Sequence, residues 1–197
     1  MKSESSFYHD FVDQELVKKG FTIKLINEDY IATRILDCIS FVNGILEEYQ
    51  NTYNLWTPKP REWFLNPMIR KWEFSLVIED LKNQIALFNF TSVYGELLHN
   101  HCTYVNRNLR GLGLAKLHML KICQLGLDNG FKKYEGYWDK HNNGSLILHL
   151  KMGFMIESFR KNEQLLLVGD LLDIRNKVFN IYEKENSYII KSDLFDK

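Results

Sequence analysis

Apolar residues change their period several times along the chain, and each change marks an element. Residues 1–20 read as a polar lead-in with a short amphipathic helix around Phe11 to Lys18. Phe21-Thr22-Ile23-Lys24-Leu25-Ile26 alternates as a half-buried strand does. Asn27-Glu28-Asp29 supplies a turn and a helix cap. From Ile31 to Tyr49, Ile35, Ile39, Phe41, Val42, Ile45 and Leu46 recur mostly at helical spacing. Pro58 and Pro60 break the chain between Leu55 and Arg61, and a second short helix is predicted over Trp63 to Arg70.

Period-two patterns return in Trp72 to Asp80, Asn83 to Tyr94 and Leu97 to Val105, which predict three strands. Gly111 to Gly130 reads as a helix with an apolar stripe of Leu114, Leu117, Leu120 and Leu125, stopped by Asn129-Gly130. Tyr134 to Trp138 is a strand, Gly144 to Lys151 a short helix ending at Gly153. Phe154 to Phe159 and Gln164 to Val168 form a hairpin. Val178 to Tyr182 and Tyr188 to Lys191 are predicted as extra strands. There is no internal repeat and no low-complexity linker. The order of elements describes an α+β or mixed α/β layer, not a regular βαβ repeat.

Composition narrows this little further. The 197 residues fit one domain with extensions. Hydrophobic residues make up 45%, enough for a substantial core. Lys plus Arg equals Asp plus Glu, 25 each, so no broad electrostatic grip on nucleic acid or an anionic membrane is expected. No apolar run of membrane-spanning length occurs, and no signal core follows Met1-Lys2-Ser3-Glu4. Cys38, Cys102 and Cys123 match no metal motif or disulfide framework, which reads as reduced thiols in a cytoplasmic protein.

The chemistry concentrates at Arg110-Gly111-Leu112-Gly113-Leu114-Ala115, between a strand and a helix. A diphosphate needs converging N–H donors. A helix start supplies them, and its dipole favours the negative charge. Gly111 and Gly113 let the backbone approach closely, Arg110 adds a fork-shaped cation, and Ala115 keeps the first turn slim. A short glycine pattern alone is also met in ordinary chain reversals. It is neither the dinucleotide fingerprint nor the nucleoside-triphosphate loop.

A second segment follows the next strand: Asn142-Asn143-Gly144-Ser145, then Leu146 to Met152, then Gly153-Phe154. Together the two segments resemble the GNAT family of acyl-CoA-dependent N-acyltransferases. The first is similar to the family's pyrophosphate loop, the second to the Asn-x-x-Ser/Ala start and Gly-Phe finish of its last short helix. The resemblance covers about residues 72–170 and extends back to Phe21. It implies one acyltransferase domain over residues 1–197, with a core at about 21–170, a lead-in at 1–20 and an extension at 171–197. The implied fold is a mixed, mostly antiparallel sheet flanked by helices. Two parallel strands, Leu97–Val105 and Tyr134–Trp138, splay to form a coenzyme A cleft. Main-chain groups near Tyr104 and Val105 would hold the pantetheine arm and the amides from Gly111 to Ala115 the pyrophosphate. Asn142 would reach the pantetheine arm, a role compatible with capping a helix.

Such a reaction must deprotonate an amine whose ordinary pKa is about 10.4, hold an oxyanion and release a thiolate. His99 and His101 stand two apart, on one face of a regular strand, and titrate in a suitable range. The pair resembles the His-x-His of arylalkylamine N-acetyltransferases. His101 lies nine residues before Arg110 and His99 eleven. Glu96 is a competing base. Cys102 would face away from both histidines and is not expected to be a nucleophile. A main-chain N–H near Val105 would serve the oxyanion. His149 stands where the family usually has a Tyr facing the coenzyme sulfur, so the identity of the acid is open; Tyr134 and Tyr137 come too early in the motif to replace it. Spacing of His99, His101 and His149 demands no metal, and none is expected.

The acceptor side is implied to lie between the first helical region and the last hairpin. Tyr49, Tyr53, Trp56, Trp63 and Trp72 offer aromatic surface there, and Glu47, Glu48 and Glu62 negative charge. The expected activity is transfer of an acetyl group from acetyl-CoA to a small-molecule or peptide amine, by direct attack. Two alternatives stay open: a non-catalytic acyl-CoA-binding module, and an assembly protein whose residues 170–197 give a dimer strand. A homodimer fits either.

Overall fold

The computed structural model describes residues 4–53, 57–160 and 164–192. Seven strands form one sheet: β1 (Phe21–Leu25), β2 (Leu76–Asp80), β3 (Ile85–Tyr94), β4 (Leu97–Val105), β5 (Lys133–Asp139), β6 (Met155–Phe159) and β7 (Gln164–Asp170). Their spatial order is β1-β2-β3-β4-β5-β7-β6, antiparallel except where β4 meets β5. Helices α1 (Glu4–Lys18), α5 (Leu114–Asp128) and α7 (Leu171–Ser192) cover one face. Helices α2 (Glu28–Tyr53) and α3 (Arg61–Leu65) cover the other. The short α4 (Lys71–Phe74) precedes β2, and α6 (Asn143–Met152) follows β5. The mixed, mostly antiparallel sheet agrees with the predicted fold class.

Alternation along β3 divides the core. Leu87 joins the cluster built with Val12, Leu16, Leu117 and Leu120, while Phe88 and Phe90 join the one built with Ile35, Val42, Leu46 and Phe64. Each apolar helix stripe thus has its own sheet face to cover.

Several expected elements differ. The lead-in is not loose: α1 begins at Glu4, and its Val12 and Leu16 are fully buried. Arg175 of α7 ties it down, bonding Glu4 at 2.6 Å and Gln124 at 2.8 Å with its guanidinium over the Tyr8 ring. The extra strands expected at 178–182 and 188–191 are turns of α7 instead. Leu171, Ile174, Val178 and Tyr182 are buried at intervals of three and four, a helical face whose β-branched and aromatic residues imitate strand composition. The dimer strand expected from residues 170–197 is therefore not formed over 171–192; residues 193–197 lie outside the described part. Of the helix expected over Trp63 to Arg70 only the first turn forms, as α3, and the strand expected over Trp72 to Asp80 begins at Leu76, because Lys71–Phe74 is the short α4.

Two irregularities of β4 position the site. Phe90 pairs with Cys102 and Thr91 with Asn100, so His101 is an extra residue without a partner on β3. The bulge reverses the alternation: Leu98 joins the α5-side cluster, whereas Cys102 and Tyr104 join the α2-side cluster. Asn89 clamps it from β3, donating to Asn100 Oδ1, the Cys102 carbonyl and Thr103 Oγ1 at 2.9–3.1 Å. Parallel pairing of β4 with β5 is confined to Leu98–Asn100 against Tyr134–Gly136. Beyond Asn100 the two strands part.

Candidate active site

A cavity of about 490 Å³ opens where β4 and β5 diverge. Its outer wall is the loop after β4, where Arg110, Gly111, Gly113, Leu114 and Ala115 line it. Gly111 and Gly113 have φ of 90° and 81°, left-handed conformations that L side chains rarely adopt. Gly113 is the N-cap of α5; its carbonyl accepts from the Lys116 and Leu117 N–H groups, and the amides before them have no intrahelical acceptor. Leu112 is the exception in the loop: it is 43% exposed and does not line the cavity. Arg110 bonds Glu48 of α2 at 3.3 Å and lies over the Tyr49 ring. Val105 lines this cavity, whereas the Tyr104 side chain faces the neighbouring one.

The second cavity, about 280 Å³, lies on the α2 side of the sheet. His99, His101, Cys102, Tyr104 and Tyr137 line it. The two cavities share Tyr49, Thr103, Asn142, Ser145 and His149, so these residues mark their junction. Asn142 caps α6, its Oδ1 accepting from the Ser145 N–H at 3.2 Å, and keeps its side chain at that junction.

The three candidate histidines differ sharply. His99 and His101 touch, with ring centroids 4.8 Å apart. His99 Nδ1 lies 2.9 Å from Glu135 Oε1, an arrangement set by the parallel register that pairs these two residues. An ionised carboxylate only accepts, so Nδ1 carries the proton and Nε2 presents its lone pair. His101 Nε2 is 2.7 Å from Ser92 Oγ. Burial and the neighbouring His99 and Lys71 push its pKa down to about 4. His149 is buried against Trp138 and Phe154. Its Nδ1–H donates to the Ser145 carbonyl at 2.7 Å, and burial brings its pKa down to about 4. A neutral ring with its proton on Nδ1 has none on Nε2 to give.

Sequence reading missed Glu135, Ser92 and His118. Nothing in the sequence marks Glu135; it reaches His99 only through the pairing of two strands linked by a helix. His118, on α5, is fully buried on the wall of the larger cavity, and neither ring nitrogen has a hydrogen-bond partner among the described residues. Burial holds its pKa at about 3.

Other expectations need correcting. Cys102 does not face away from the histidines, because the bulge brings it to the same cavity. It is still a poor nucleophile, since burial raises its thiol to about 12. Glu96 is exposed in the β3–β4 turn and lines neither cavity. Glu47 and Glu62 are exposed away from both, and Glu48 is engaged by Arg107 and Arg110. Tyr134 is buried with its hydroxyl on Thr91. Trp63 and Tyr49 line the second cavity; Trp72 bonds Glu28 instead. Trp56 and the Tyr53 side chain lie outside the described part. Among the described residues, no group of three or more histidine, cysteine or acidic side chains is arranged for a metal, and no helix is long and apolar enough to cross a membrane.

The sequence profile described as the Acetyltransferase (GNAT) family matches residues 41–154, more than half of the chain. The chain therefore belongs to the GNAT acetyltransferase family. Solved structures carry the same fold. A ribosomal-protein-S18-alanine N-acetyltransferase from Escherichia coli aligns with a TM-score of 0.61 at 10% identity, over 77% of this chain and 94% of that one. A GNAT-family acetyltransferase from Staphylococcus aureus gives 0.62 at 12% identity, over 77% and 99%. Ard1 from Thermoplasma volcanium gives 0.59 at 14% identity, over 77% and 97%. No curated protein matches the chain.

Proposed function

We propose that this chain transfers an acetyl group from acetyl-CoA to a primary amine by direct attack. The observation that carries the proposal is the junction of the two cavities. One has a wall of glycine-loop amides at a helix start, fit for a diphosphate. The other carries a carboxylate-held histidine. They meet at Asn142, Ser145 and His149.

In this reading the amides from Gly111 to Ala115 and the Arg110 guanidinium hold the pyrophosphate. Arg110 exchanges Glu48 for the stronger, fork-matched phosphate contact. The pantetheine arm lies along the stretch of β4 that β5 leaves unpaired, near Tyr104 and Val105, with Asn142 opposite. The amine nitrogen attacks the thioester carbon as its proton passes to His99 Nε2, directly or through water. Glu135 fixes the ring and balances the positive charge that arrives. A main-chain N–H near Val105 stabilises the oxyanion. The C–S bond then breaks and the thiolate leaves.

His101, held neutral, hydrogen-bonds Ser92 and shapes the wall rather than taking the proton. His149 does not act as the acid, because its proton is committed to the Ser145 carbonyl. A thiol with an ordinary pKa of about 8.5 leaves without that help. The test is a thiol-release assay with acetyl-CoA across a panel of amines. Release dependent on an amine is expected. Coenzyme A binding without release for any amine would favour the non-catalytic binding module.

A further inference from the structure

The second cavity carries charges of both signs that bear on the acceptor. Asp139 and the Glu135-backed His99 line it. So do Lys59 and Trp63, the two residues it shares with the groove outside α3, which Glu62 also lines. Asp139 is already engaged, accepting from the His141 backbone N–H at 2.8 Å. Lys59 has no ion-pair partner among the described residues. Its ammonium lies 5.6 Å from the centre of the Trp63 ring.

Lys59 is also held in place by more than its loop. It sits between Pro58 and Pro60, whose rings fix their own φ and stiffen the segment. Asn43 of α2 grips its backbone twice: Oδ1 accepts the Lys59 N–H at 2.7 Å, and Nδ2 donates to the Lys59 carbonyl at 3.1 Å. Both ends of the Asn43 amide are spent on positioning this one residue. A clamped cation on the wall of an aromatic-lined cavity, without an ion-pair partner among the described residues, is suited to receive an anion.

The carboxylates expected to draw a cationic acceptor do not line this cavity: Glu47 is exposed, Glu62 lines the groove outside α3, and Glu48 is held by the arginines of the loop after β4. The cavity's size, about 280 Å³, suits a small molecule. We propose, resting on the acetyl-transfer reading above, that the acceptor is a small amine bearing a carboxylate, an amino acid rather than an arylalkylamine or polyamine. Its amine faces His99, its carboxylate pairs with Lys59, and its side chain lies against Trp63, Tyr104 and Tyr137.

The experiment compares matched pairs that differ only in the carboxylate: phenylalanine with phenethylamine, tryptophan with tryptamine, and leucine with isoamylamine. Each is measured by acetyl-CoA-dependent thiol release and by calorimetric binding to the CoA-loaded protein. At least one amino acid is expected to exceed its decarboxylated partner by about tenfold or more in kcat/KM and in affinity. Lys59→Met is expected to collapse that ratio toward one, and Lys59→Arg to keep it. Preference for the decarboxylated member in every pair, or a ratio that survives Lys59→Met, overturns the inference. Binding decides it even without turnover, whereas absence of thiol release with every amine defeats the catalytic reading alone. A peptide with a free N-terminus and an acidic first side chain, if preferred over every amino acid, overturns the small-molecule acceptor.

Discussion

Lowering the pH from 7.5 to 5 is expected to cost the folded state about 4 kcal/mol through two buried histidines. His118 is fully buried and His149 nearly so. Burial holds their folded pKa values at about 3 and about 4. In the unfolded chain each titrates near 6.5. Between the two values the unfolded state binds a proton that the folded state refuses, so stability falls as pH falls. The slope is about 1.4 kcal/mol per pH unit for each histidine, and 1.5 units below 6.5 give about 2 kcal/mol apiece. That is a large part of a typical domain stability of about 5–15 kcal/mol. His101 shifts in the same direction, but it is only partly shielded from solvent, which makes its share smaller. Glu15, Glu73, Glu79 and Asp128 are held below their usual values and weaken the fold only at lower pH. Urea unfolding followed by circular dichroism at pH 7.5, 6 and 5 measures the profile. His118→Leu is expected to halve the loss. It is also expected to raise stability at pH 7.5 by about 1–3 kcal/mol, since it removes two unpaired buried nitrogens. A profile flat within about 1 kcal/mol between pH 7.5 and 5, or one unaltered by His118→Leu, refutes the reasoning.

Three further outcomes follow from the site. His99→Gln is expected to lower kcat/KM by about 100-fold, through loss of the base. His101→Gln is expected to leave the pH–rate profile in place, because that ring stays neutral down to about 4; steady-state kinetics of each variant across pH decide. Glu135→Gln is expected to cut kcat/KM by about tenfold while the dissociation constant for coenzyme A stays put, measured by calorimetry. Gly111→Ala and Gly113→Ala each place a side chain at positive φ, at about 1–2 kcal/mol of strain. Only at Gly113 does the new Cβ come within 3.0 Å of the Tyr182 ring, so Gly113→Ala is expected to show the larger fall in Tm.

Local signals made β4 legible from Leu97 to Val105, because nine residues rich in β-branched and aromatic side chains follow the Gly95 turn. The glycine loop and the Asn142 cap were legible for the same reason: each is written in consecutive residues with a local backbone purpose. What escaped depends on pairing between distant segments. No periodicity announces that β4 carries an extra residue at His101; only the register against β3 does, and it reverses where Cys102 points. Glu135 meets His99 across strands joined by α5, and Lys59 is placed by a side chain from α2. At the C-terminus, residue type outweighed spacing. Val178 and Tyr182 favour strands by composition, but their four-residue interval fits the groove against α5 and α1.

Direct transfer between the two cavities is tested most directly by acid-quenching the protein with acetyl-CoA, with and without the best amine, and weighing protein and products by mass spectrometry. The account requires equal amounts of free coenzyme A and N-acetylated amine, formed only when the amine is present, and no acetyl group on the protein at any time. An acetylated protein that forms without amine and then passes its acetyl group on, on Cys102 or anywhere else, would contradict it.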